Sequence, residues 1–272
     1  MITIIEESTT AKGLPAHNED AIVKTNNFLA VVDGSTSKTK YRVQPDITNG
    51  QLAAILIRDY LQSVDSSAPH LSCKELCEGL TEHFQQEYLI RNVDIDALTI
   101  HPELRPTASV VVFSRCRQEV WLIGDCQCMI NGQLFENPKP HEATIARKRA
   151  RLIIGGMRPD EARRCIEHDL ITAMHEGQNK NYAVIDGFPI YYAGVAIIKL
   201  REWATTFPFQ IVLASDGYPF LKSTLEASEQ AIQKQAASDP QNIKHFLATK
   251  GIKPGYHGFD DRTYLRFIFG EE

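Results

Sequence analysis

The sequence predicts an α+β fold in which two antiparallel β-sheets pack face to face and helices cover their outer sides. Short runs rich in apolar and β-branched residues alternate with turn residues, as strands do. Longer segments repeat apolar residues with helical spacing. The strand-like runs follow one another with few helices between them, which favours packed antiparallel sheets over a parallel sheet wound through alternating helices.

The strand-like segments are apolar or β-branched and end at residues typical of turns, such as Asn131-Gly132. Because such runs recur from the first residues to the last, we expect both ends of the chain to contribute to the sheets. The predicted strands are residues 3–6, 21–25, 28–33, 107–114, 120–124, 128–131, 190–199, 210–215 and 263–269.

Helical periodicity appears between the strands. Residues 50–64 and 74–87 each place large apolar side chains on one stripe, which is typical of a helix with one buried face. Two later segments, residues 225–237 and 241–250, follow Ser/Thr and Asp-Pro start signals and are also predicted helices.

Residues 138–187 differ in composition, being richer in charge and in helical pattern, with candidate helices at 147–154 and 159–176. We interpret this region as an insertion between strands. No linker or low-complexity tract flanks it, and strands resume after it. Residues 1–272 are therefore expected to form one domain.

Composition excludes several classes of protein. An apolar fraction of 43%, a charged fraction of 23% and a net charge of -5 are typical of a globular chain rather than a disordered one. The chain lacks the excess of Lys and Arg over Asp and Glu that is expected of a nucleic-acid-binding protein. The N-terminus lacks the basic start of a signal peptide, and no window reaches the roughly 18 to 20 apolar residues of a membrane span. We expect a cytoplasmic protein with no membrane partner.

The six cysteines are scattered and lack the density of a disulfide-stapled domain, so we interpret them as reduced thiols. Cys126 and Cys128 are separated by one residue and would point to the same face of a strand. A zinc site would need a second pair of ligands beside them, and packing is the better interpretation.

Four acidic motifs lie at the end of an apolar strand or beside a glycine. A carboxylate at the tip of a buried strand is held rigidly, and a neighbouring glycine lets the backbone approach a bound ion. Taken singly, each motif is a common turn former. They are Asn18-Glu19-Asp20, Val32-Asp33-Gly34, Ser215-Asp216-Gly217 and Asp260-Asp261.

Converging carboxylates would need a cation. Two unit charges about 4 Å apart repel by roughly 4 kcal/mol at an effective dielectric constant near 20, so a cluster without a cation would protonate or separate. Oxygen-only clusters suit hard divalent ions such as Mg²⁺ or Mn²⁺.

In their order along the chain, these motifs resemble the signature blocks of the PPM family, the magnesium- or manganese-dependent protein serine/threonine phosphatases called type 2C. The family has a four-layer α-β-β-α sandwich, two packed antiparallel sheets flanked by helices, which agrees with the strand pattern. The resembling blocks are Asn18-Glu19-Asp20, Val32-Asp33-Gly34, Thr107-Ala108-Ser109, Ile123-Gly124-Asp125, Ala214-Ser215-Asp216-Gly217 and Asp260-Asp261-Arg262-Thr263.

The resemblance implies a centre for two Mg²⁺ or Mn²⁺ ions. By position, Asp33 would bridge both ions and the carbonyl of Gly34 would bind one of them. Asp216 and Asp260 would bind the other. A water shared by two such ions loses a proton near neutral pH and attacks phosphorus in line, so no phosphoenzyme is required.

The remaining site residues are also implied by the resemblance. Glu19 and Asp20 would act directly or through waters, and Asp125 would lie near the place where some members bind a weaker third ion. Ser35 stands where the family often has a histidine, which is proposed to help protonate the leaving group. His17 is the candidate replacement, so Asp33, Ser35 and His17 form the candidate catalytic set.

Phosphate binding departs from the family pattern as well, because the arginine that many members place before the acidic motif is missing. Lys38, Lys40 and Arg42 are candidate replacements, although exposed Lys and Arg are the norm on any surface. Residues 179–187 fall where the family has a variable flap, and an ordinary hairpin is the alternative.

These features predict a phosphatase whose substrate is a phosphoprotein carrying phosphoserine or phosphothreonine. One alternative is a hydrolase of small phosphoesters, which the same ions would support. Another is a catalytically weak scaffold that binds partners. Retention of Asp33, Asp216 and Asp260 together argues against the scaffold, because a fold without metals has no use for that charge.

Overall fold

The computed structural model describes residues 1–13, 18–203 and 207–270, and they form two five-stranded antiparallel sheets. Sheet I has the order β1-β10-β9-β6-β7, and sheet II has the order β2-β3-β4-β5-β8. The predicted α+β class is confirmed. The strands are β1 (Ile2–Thr10), β2 (Ala21–Lys24), β3 (Phe28–Gly34), β4 (Ala108–Ser114), β5 (Glu119–Ile123), β6 (Gln127–Ile130), β7 (Gln133–Glu136), β8 (Ala196–Lys199), β9 (Phe209–Ala214) and β10 (Arg262–Phe269).

The strands differ from the prediction mainly at the sheet edges. Strand β1 extends to Thr10 because β10 pairs along its whole length. Strand β7 was not predicted, because it is a short, mostly exposed edge strand without an apolar run. Only the end of predicted strand 190–199 is extended, since a 3₁₀ turn at Tyr192–Gly194 precedes β8.

The main core lies between the two sheets. Alternate side chains of β3 show this: Leu29 and Val31 face sheet I, where they join Leu213 and Phe267. Its other side chains, such as Val32, face outward into a second core. Because both faces are covered, β3 reads as a continuous apolar run rather than an alternating one.

Helices form the outer layers of this sandwich. Helices α1 and α2 cover sheet II, and α8 packs on sheet I through Ile232. Capping boxes start the first two helices: Thr48 with Gln51 for α1, and Ser72 with Glu75 for α2. The helices are α1 (Asn49–Val64), α2 (Cys73–Ile90), α3 (Ile95–Ile100), α4 (Glu142–Ile154), α5 (Pro159–Cys165), α6 (Glu167–Gly177), α7 (Leu200–Trp203) and α8 (Leu225–Ser238).

The predicted helix 241–250 is wrong. The segment is irregular, and several of its carbonyl groups accept hydrogen bonds from distant side chains rather than from a helical ladder. The guanidinium of Arg149, only 2% exposed, donates to the carbonyls of Gln241 and Ala248. Arg163 donates to the carbonyl of Thr249 in the same way. These contacts from the insertion replace the local helical ladder.

The insertion contains three helices with a small core of their own, built from Ile145, Ile166 and Leu170. Residues 159–176 form two helices rather than the one predicted, and the chain breaks at the buried Ile166. Helix α4 begins at Glu142, earlier than predicted. Since Arg149 and Arg163 bind the 241–250 segment, the insertion is attached to the C-terminal part of the chain.

All six cysteines lie in the described part of the chain and are unpaired. Cys126 and Cys128 both point into the core between the sheets, which confirms the packing interpretation. Within the described ranges, no helix is both long enough and apolar enough to cross a membrane.

Candidate active site

Three aspartates from different strand ends meet at the base of a cleft of about 220 Å³. Asp33 lies at the end of β3, Asp125 follows β5, and Asp216 follows β9. One carboxylate oxygen from each of the three lies within 4.8 Å of the other two. We call Asp33, Asp125 and Asp216 the aspartate cluster. The cluster joins both sheets, since β3 and β5 belong to sheet II and β9 to sheet I.

Glycine beside the cluster is required by close backbone contacts. A Cβ on Gly34 would lie 2.4 Å from the carbonyl oxygen of Glu19 and 2.5 Å from that of Gly50. Gly124 has a φ of +92°, which favours glycine, and a Cβ there would strike Ser109. The glycines in these motifs therefore let the segments that carry the carboxylates pack closely against their neighbours.

The carboxylates at this centre resist ionisation. Burial raises the pKa of Asp33 well above its usual value, and repulsion from Asp216 and Asp20 raises it further. Burial also raises the pKa of Asp216 and that of Asp20, the latter to about 7. Each group is thus protonated more readily than an ordinary aspartate, which is what carboxylates gathered without enough positive charge do.

Asp125 is the exception in the aspartate cluster. Burial alone would raise its pKa, but attraction to the Lys139 ammonium, together with hydrogen bonds from Lys139, Ser109 and the backbone, lowers the pKa below its usual value. Lys139 Nζ lies 2.7 Å from Asp125 Oδ2, and the hydroxyl of Ser109 donates to Oδ1 at 2.6 Å. One of the three carboxylates therefore has a cationic partner in the protein.

A second acidic group surrounds the ammonium of Lys12. Its Nζ lies 3.4 Å from a Glu19 oxygen and 3.2 Å from oxygens of both Asp260 and Asp261. The Lys250 ammonium also contacts Asp260. We call Glu19, Asp260 and Asp261 the lysine-bound cluster. Although burial lowers the pKa of Lys12, attraction to Asp261 and Glu19 leaves it raised, so the ammonium stays charged.

Hydrogen bonds hold the lysine-bound cluster in place. Thr48 and Thr36 donate to the Glu19 carboxylate at 2.6 and 2.7 Å. Asp261 accepts from the backbone N–H groups of Lys12 and Glu19, which ties the segment before β2 to the one before β10. Asp261 therefore holds these two segments together, in addition to contributing a negative charge.

The other predicted residues are placed as follows. Ser35 lines the cleft beside Asp33, and its backbone N–H donates to the carbonyl of Thr107. His17 lies outside the described residues. Of the predicted phosphate partners, Lys38 lines the cleft, Lys40 is exposed to solvent, and Arg42 donates to backbone carbonyls of its own loop.

The cleft wall carries a group of cations that sequence reasoning missed, apart from Lys38. Burial and repulsion from Lys250 and Arg163 lower the pKa of Lys38 to about 7. Among the described residues, no carboxylate lies within ion-pair distance of Lys38 or Arg163. A local motif does not reveal such cations, because they come from distant segments. The lining cations are Lys12, Lys38, Arg105, Lys139, Arg163, Lys250 and Lys253.

Residues 179–187 run beside β4 and form part of the cleft. Ile185 makes an isolated bridge to Ala108, and Tyr182 and Val184 line the cleft. Asp186 is fully buried and binds Arg105 at 2.9 Å. The segment is a packed part of the wall rather than a two-stranded hairpin.

The aspartate cluster fits a hard divalent cation. Its donors are all carboxylate oxygens, the set that Mg²⁺ and Mn²⁺ prefer. Beside it, the buried Oδ1 of Asp20 has no hydrogen-bond partner among residues 1–13, 18–203 and 207–270, while Oδ2 accepts from Ser215 at 2.8 Å. Both the orphaned oxygen and the raised pKa values indicate a place for positive charge.

Comparison with solved structures identifies the fold. The catalytic domain of the serine threonine protein phosphatase PstP in complex with two manganese ions has a TM-score of 0.50 at 15% identity, covering 99% of this chain and 100% of that one. PppA, a key regulatory component of T6SS in Pseudomonas aeruginosa, has a TM-score of 0.50 at 13% identity, covering 99% and 98%. No family model and no curated protein sequence matches the chain. The resemblance found in the motifs thus extends to the whole architecture, and the chain has the fold of the PPM phosphatases.

Proposed function

We propose that the chain is a metal-dependent protein phosphatase that hydrolyses phosphoserine and phosphothreonine. One observation carries the proposal: the carboxylates of Asp33, Asp125 and Asp216 converge within 4.8 Å at the base of a cleft whose wall carries several cations. The base of the cleft suits divalent ions, and the wall suits the phosphoryl oxygens of a substrate. The same fold is found in a phosphatase that binds manganese.

In this proposal the chain's own residues hold and orient the reactants. Asp33, Asp125 and Asp216 bind Mg²⁺ or Mn²⁺, with the Gly34 carbonyl and Asp20 beside them. The bound ions supply an activated water and offset the charge on the phosphoryl oxygens. Lys139 balances part of the carboxylate charge through Asp125.

In this proposal, the cations on the cleft wall orient the phosphate group of the substrate. Lys38 lines the cleft together with Lys250 and Arg163, and burial and repulsion from these two cations lower the pKa of Lys38 to about 7. A phosphate dianion between them would relieve that repulsion and restore the charge on Lys38. Ser35, at the edge of the cleft beside Asp33, and His17 are the candidates for delivering a proton to the leaving group.

Turnover of p-nitrophenyl phosphate with Mn²⁺ or Mg²⁺ tests the activity. We expect EDTA to abolish turnover reversibly and the metal to raise the melting temperature, because a ligand that binds only the folded state stabilises it. Phosphopeptides turned over faster than small phosphoesters would support the protein substrate. Full activity after exhaustive chelation would contradict the proposal.

A second candidate, a weakly catalytic scaffold, is favoured by one observation. Asp260, expected to bind an ion with Asp216, instead contacts the ammonium groups of Lys12 and Lys250. The scaffold predicts metal binding at the aspartate cluster without turnover of any phosphoester. The single-domain organisation and the cytoplasmic location stay predictions from the sequence.

A further inference from the structure

A second group of metal-ligand side chains lies at the edge of the cleft, apart from the acidic clusters. His101 precedes a 3₁₀ turn at Pro102–Leu104 that contains Glu103. His175 lies in the last turn of α6, within the insertion. We call His101, Glu103 and His175 the histidine cluster. Two of its members thus come from the segment that leads into β4, and the third comes from the insertion.

The ligand atoms of this cluster converge. His101 Nδ1 lies 3.1 Å from Glu103 Oε1, and His175 Nε2 lies 2.7 Å from Glu103 Oε2. One ligand atom from each residue lies within 4.8 Å of the others. The imidazole rings are nearly perpendicular, at 86°, with their centroids 6.4 Å apart. Each oxygen of one carboxylate therefore faces a different ring nitrogen.

The contact between His175 and Glu103 is short but poorly directed for a hydrogen bond. Glu103 Oε2 is buried and, within the described ranges, has no hydrogen-bond partner of acceptable geometry, even though His175 Nε2 is 2.7 Å away. A ring N–H that donates to an oxygen points at it. Ligands that share a cation point at the cation instead, and their donor atoms approach one another without such alignment.

The chemistry of the donors selects the ion. Imidazole nitrogen suits Zn²⁺, whereas the oxygen-only aspartate cluster suits Mg²⁺ or Mn²⁺. Zinc bonds of about 2.0 to 2.2 Å in tetrahedral geometry place neighbouring donors roughly 3.3 Å apart. His101 Nδ1 and Glu103 Oε1 are hydrogen-bonded at 3.1 Å, a separation close to the spacing of two zinc donors. Three protein ligands leave a fourth position for water.

We propose that His101, Glu103 and His175 bind one Zn²⁺ ion, which fastens helix α6 of the insertion to the segment before β4. His101 and His175 are 49% and 39% exposed, so the ion can reach them from solvent. Glu103 lines the same cleft as Asp33, and Met174, next to His175, lines it too. Zinc at this point would hold one wall of the cleft in position. The inference does not depend on the proposed phosphatase activity.

The test measures zinc bound per chain in wild type and in the variants His101→Ala and His175→Ala, with excess Mg²⁺ present to fill the acidic centre. His168→Ala is the matched control, because His168 is exposed on the same helix α6 but outside the cluster. We expect wild type and His168→Ala to retain one zinc equivalent that the other two variants lose. Asp33→Asn should keep this equivalent, since the two sites use separate ligands.

Two further measurements make the result decisive. Circular dichroism establishes that every variant is folded, and Co²⁺ substituted for zinc should give the visible d–d absorption of a nitrogen-ligated site in wild type and His168→Ala only. Zinc should also raise the melting temperature of those two proteins more than that of the cluster variants. Equal zinc content and equal thermal shifts in wild type, His168→Ala and the two cluster variants would overturn the proposal and leave a hydrogen-bonded group that joins α6 to the turn.

Discussion

The two acidic clusters of the cleft differ in how their charge is neutralised. Among the residues that the structure describes, the three carboxylates of the aspartate cluster have one lysine within ion-pair distance, Lys139, which contacts Asp125. The lysine-bound cluster has three carboxylates and two lysine partners, Lys12 and Lys250. The pKa values follow this difference, because burial raises that of Asp33 while attraction to carboxylates raises that of Lys12. The aspartate cluster is therefore short of positive charge, whereas the charge of the lysine-bound cluster is more nearly balanced.

This comparison predicts that Asp33→Ala has the largest effect. Asp33 belongs to the aspartate cluster. The carboxylates of the lysine-bound cluster are already paired with Lys12 and Lys250 and cannot take over its role. We expect activity with Mn²⁺ to fall by more than the roughly 10- to 100-fold that loss of an outer-shell partner costs. Without metal, the variant should melt at a higher temperature than wild type, because carboxylate repulsion is relieved. Asp46→Ala, at an exposed loop position, is the control.

If Asp33→Ala keeps a few per cent or more of wild-type activity at saturating Mn²⁺, Asp33 is not an essential ligand of the proposed metal centre. An unchanged melting temperature of the metal-free variant would mean that the aspartate cluster is not strained by its charge.

Lys12→Met tests the lysine-bound cluster. Lys12 is 14% exposed, and its removal leaves Glu19, Asp260 and Asp261 short of positive charge. We expect a loss of roughly 3 kcal/mol in the free energy of unfolding, at the lower end of the range for breaking a buried ion pair. Mn²⁺ should then stabilise the variant more than wild type, as measured by thermal unfolding with and without the ion. Lys40→Met, an exposed lysine in a nearby loop, is the control.

If Mn²⁺ stabilises Lys12→Met and wild type equally, the emptied cluster does not bind the ion. The two clusters would then differ in their lysine contacts but not in their ability to bind a cation.

Ser109→Ala has a smaller expected effect. The Ser109 hydroxyl donates to Asp125 Oδ1 at 2.6 Å inside the buried centre. Losing it should cost about 1 to 3 kcal/mol in unfolding free energy, the penalty for an unpaired buried acceptor. Because this hydroxyl orients a proposed ligand, Mn²⁺ affinity measured by calorimetry should also fall. Unchanged affinity would exclude Asp125 from the metal site.

The smallest expected effect is a pH dependence of stability in the metal-free protein. The pKa of Asp33 is raised in the folded state, so the folded protein keeps a proton that the unfolded chain loses near pH 4. Above about pH 4 the folded state therefore holds more protons than the unfolded chain, and the unfolding free energy falls with increasing pH. Asp33→Asn lacks this contribution, so its stability should fall less over the same range. Denaturant unfolding at several pH values measures the difference, and identical slopes would contradict the assignment.

Much of the fold was predictable because it depends on local patterns. The continuous apolar run of β3 reflects a strand covered on both faces, and the apolar stripes of α1 and α2 reflect helices with one buried face. The positions of Asp33 and Asp216 at strand ends were predictable for the same reason, since each ends or follows such a run. The helix 241–250 was not, because carbonyls of that segment bind Arg149 and Arg163 from the insertion.

The sequence by itself determined the order of strands and acidic motifs, and with it the types of ligand available for a cation. Only the tertiary structure decided which of those carboxylates have a lysine within ion-pair distance among the described residues. Lys12 reaches Asp260 across 248 residues of chain, and His101 meets His175 across the boundary of the insertion. No local propensity encodes such pairs, because each forms only when separate segments pack together. The sequence thus determines which charged residues are available, while the tertiary contacts determine which of their charges are neutralised.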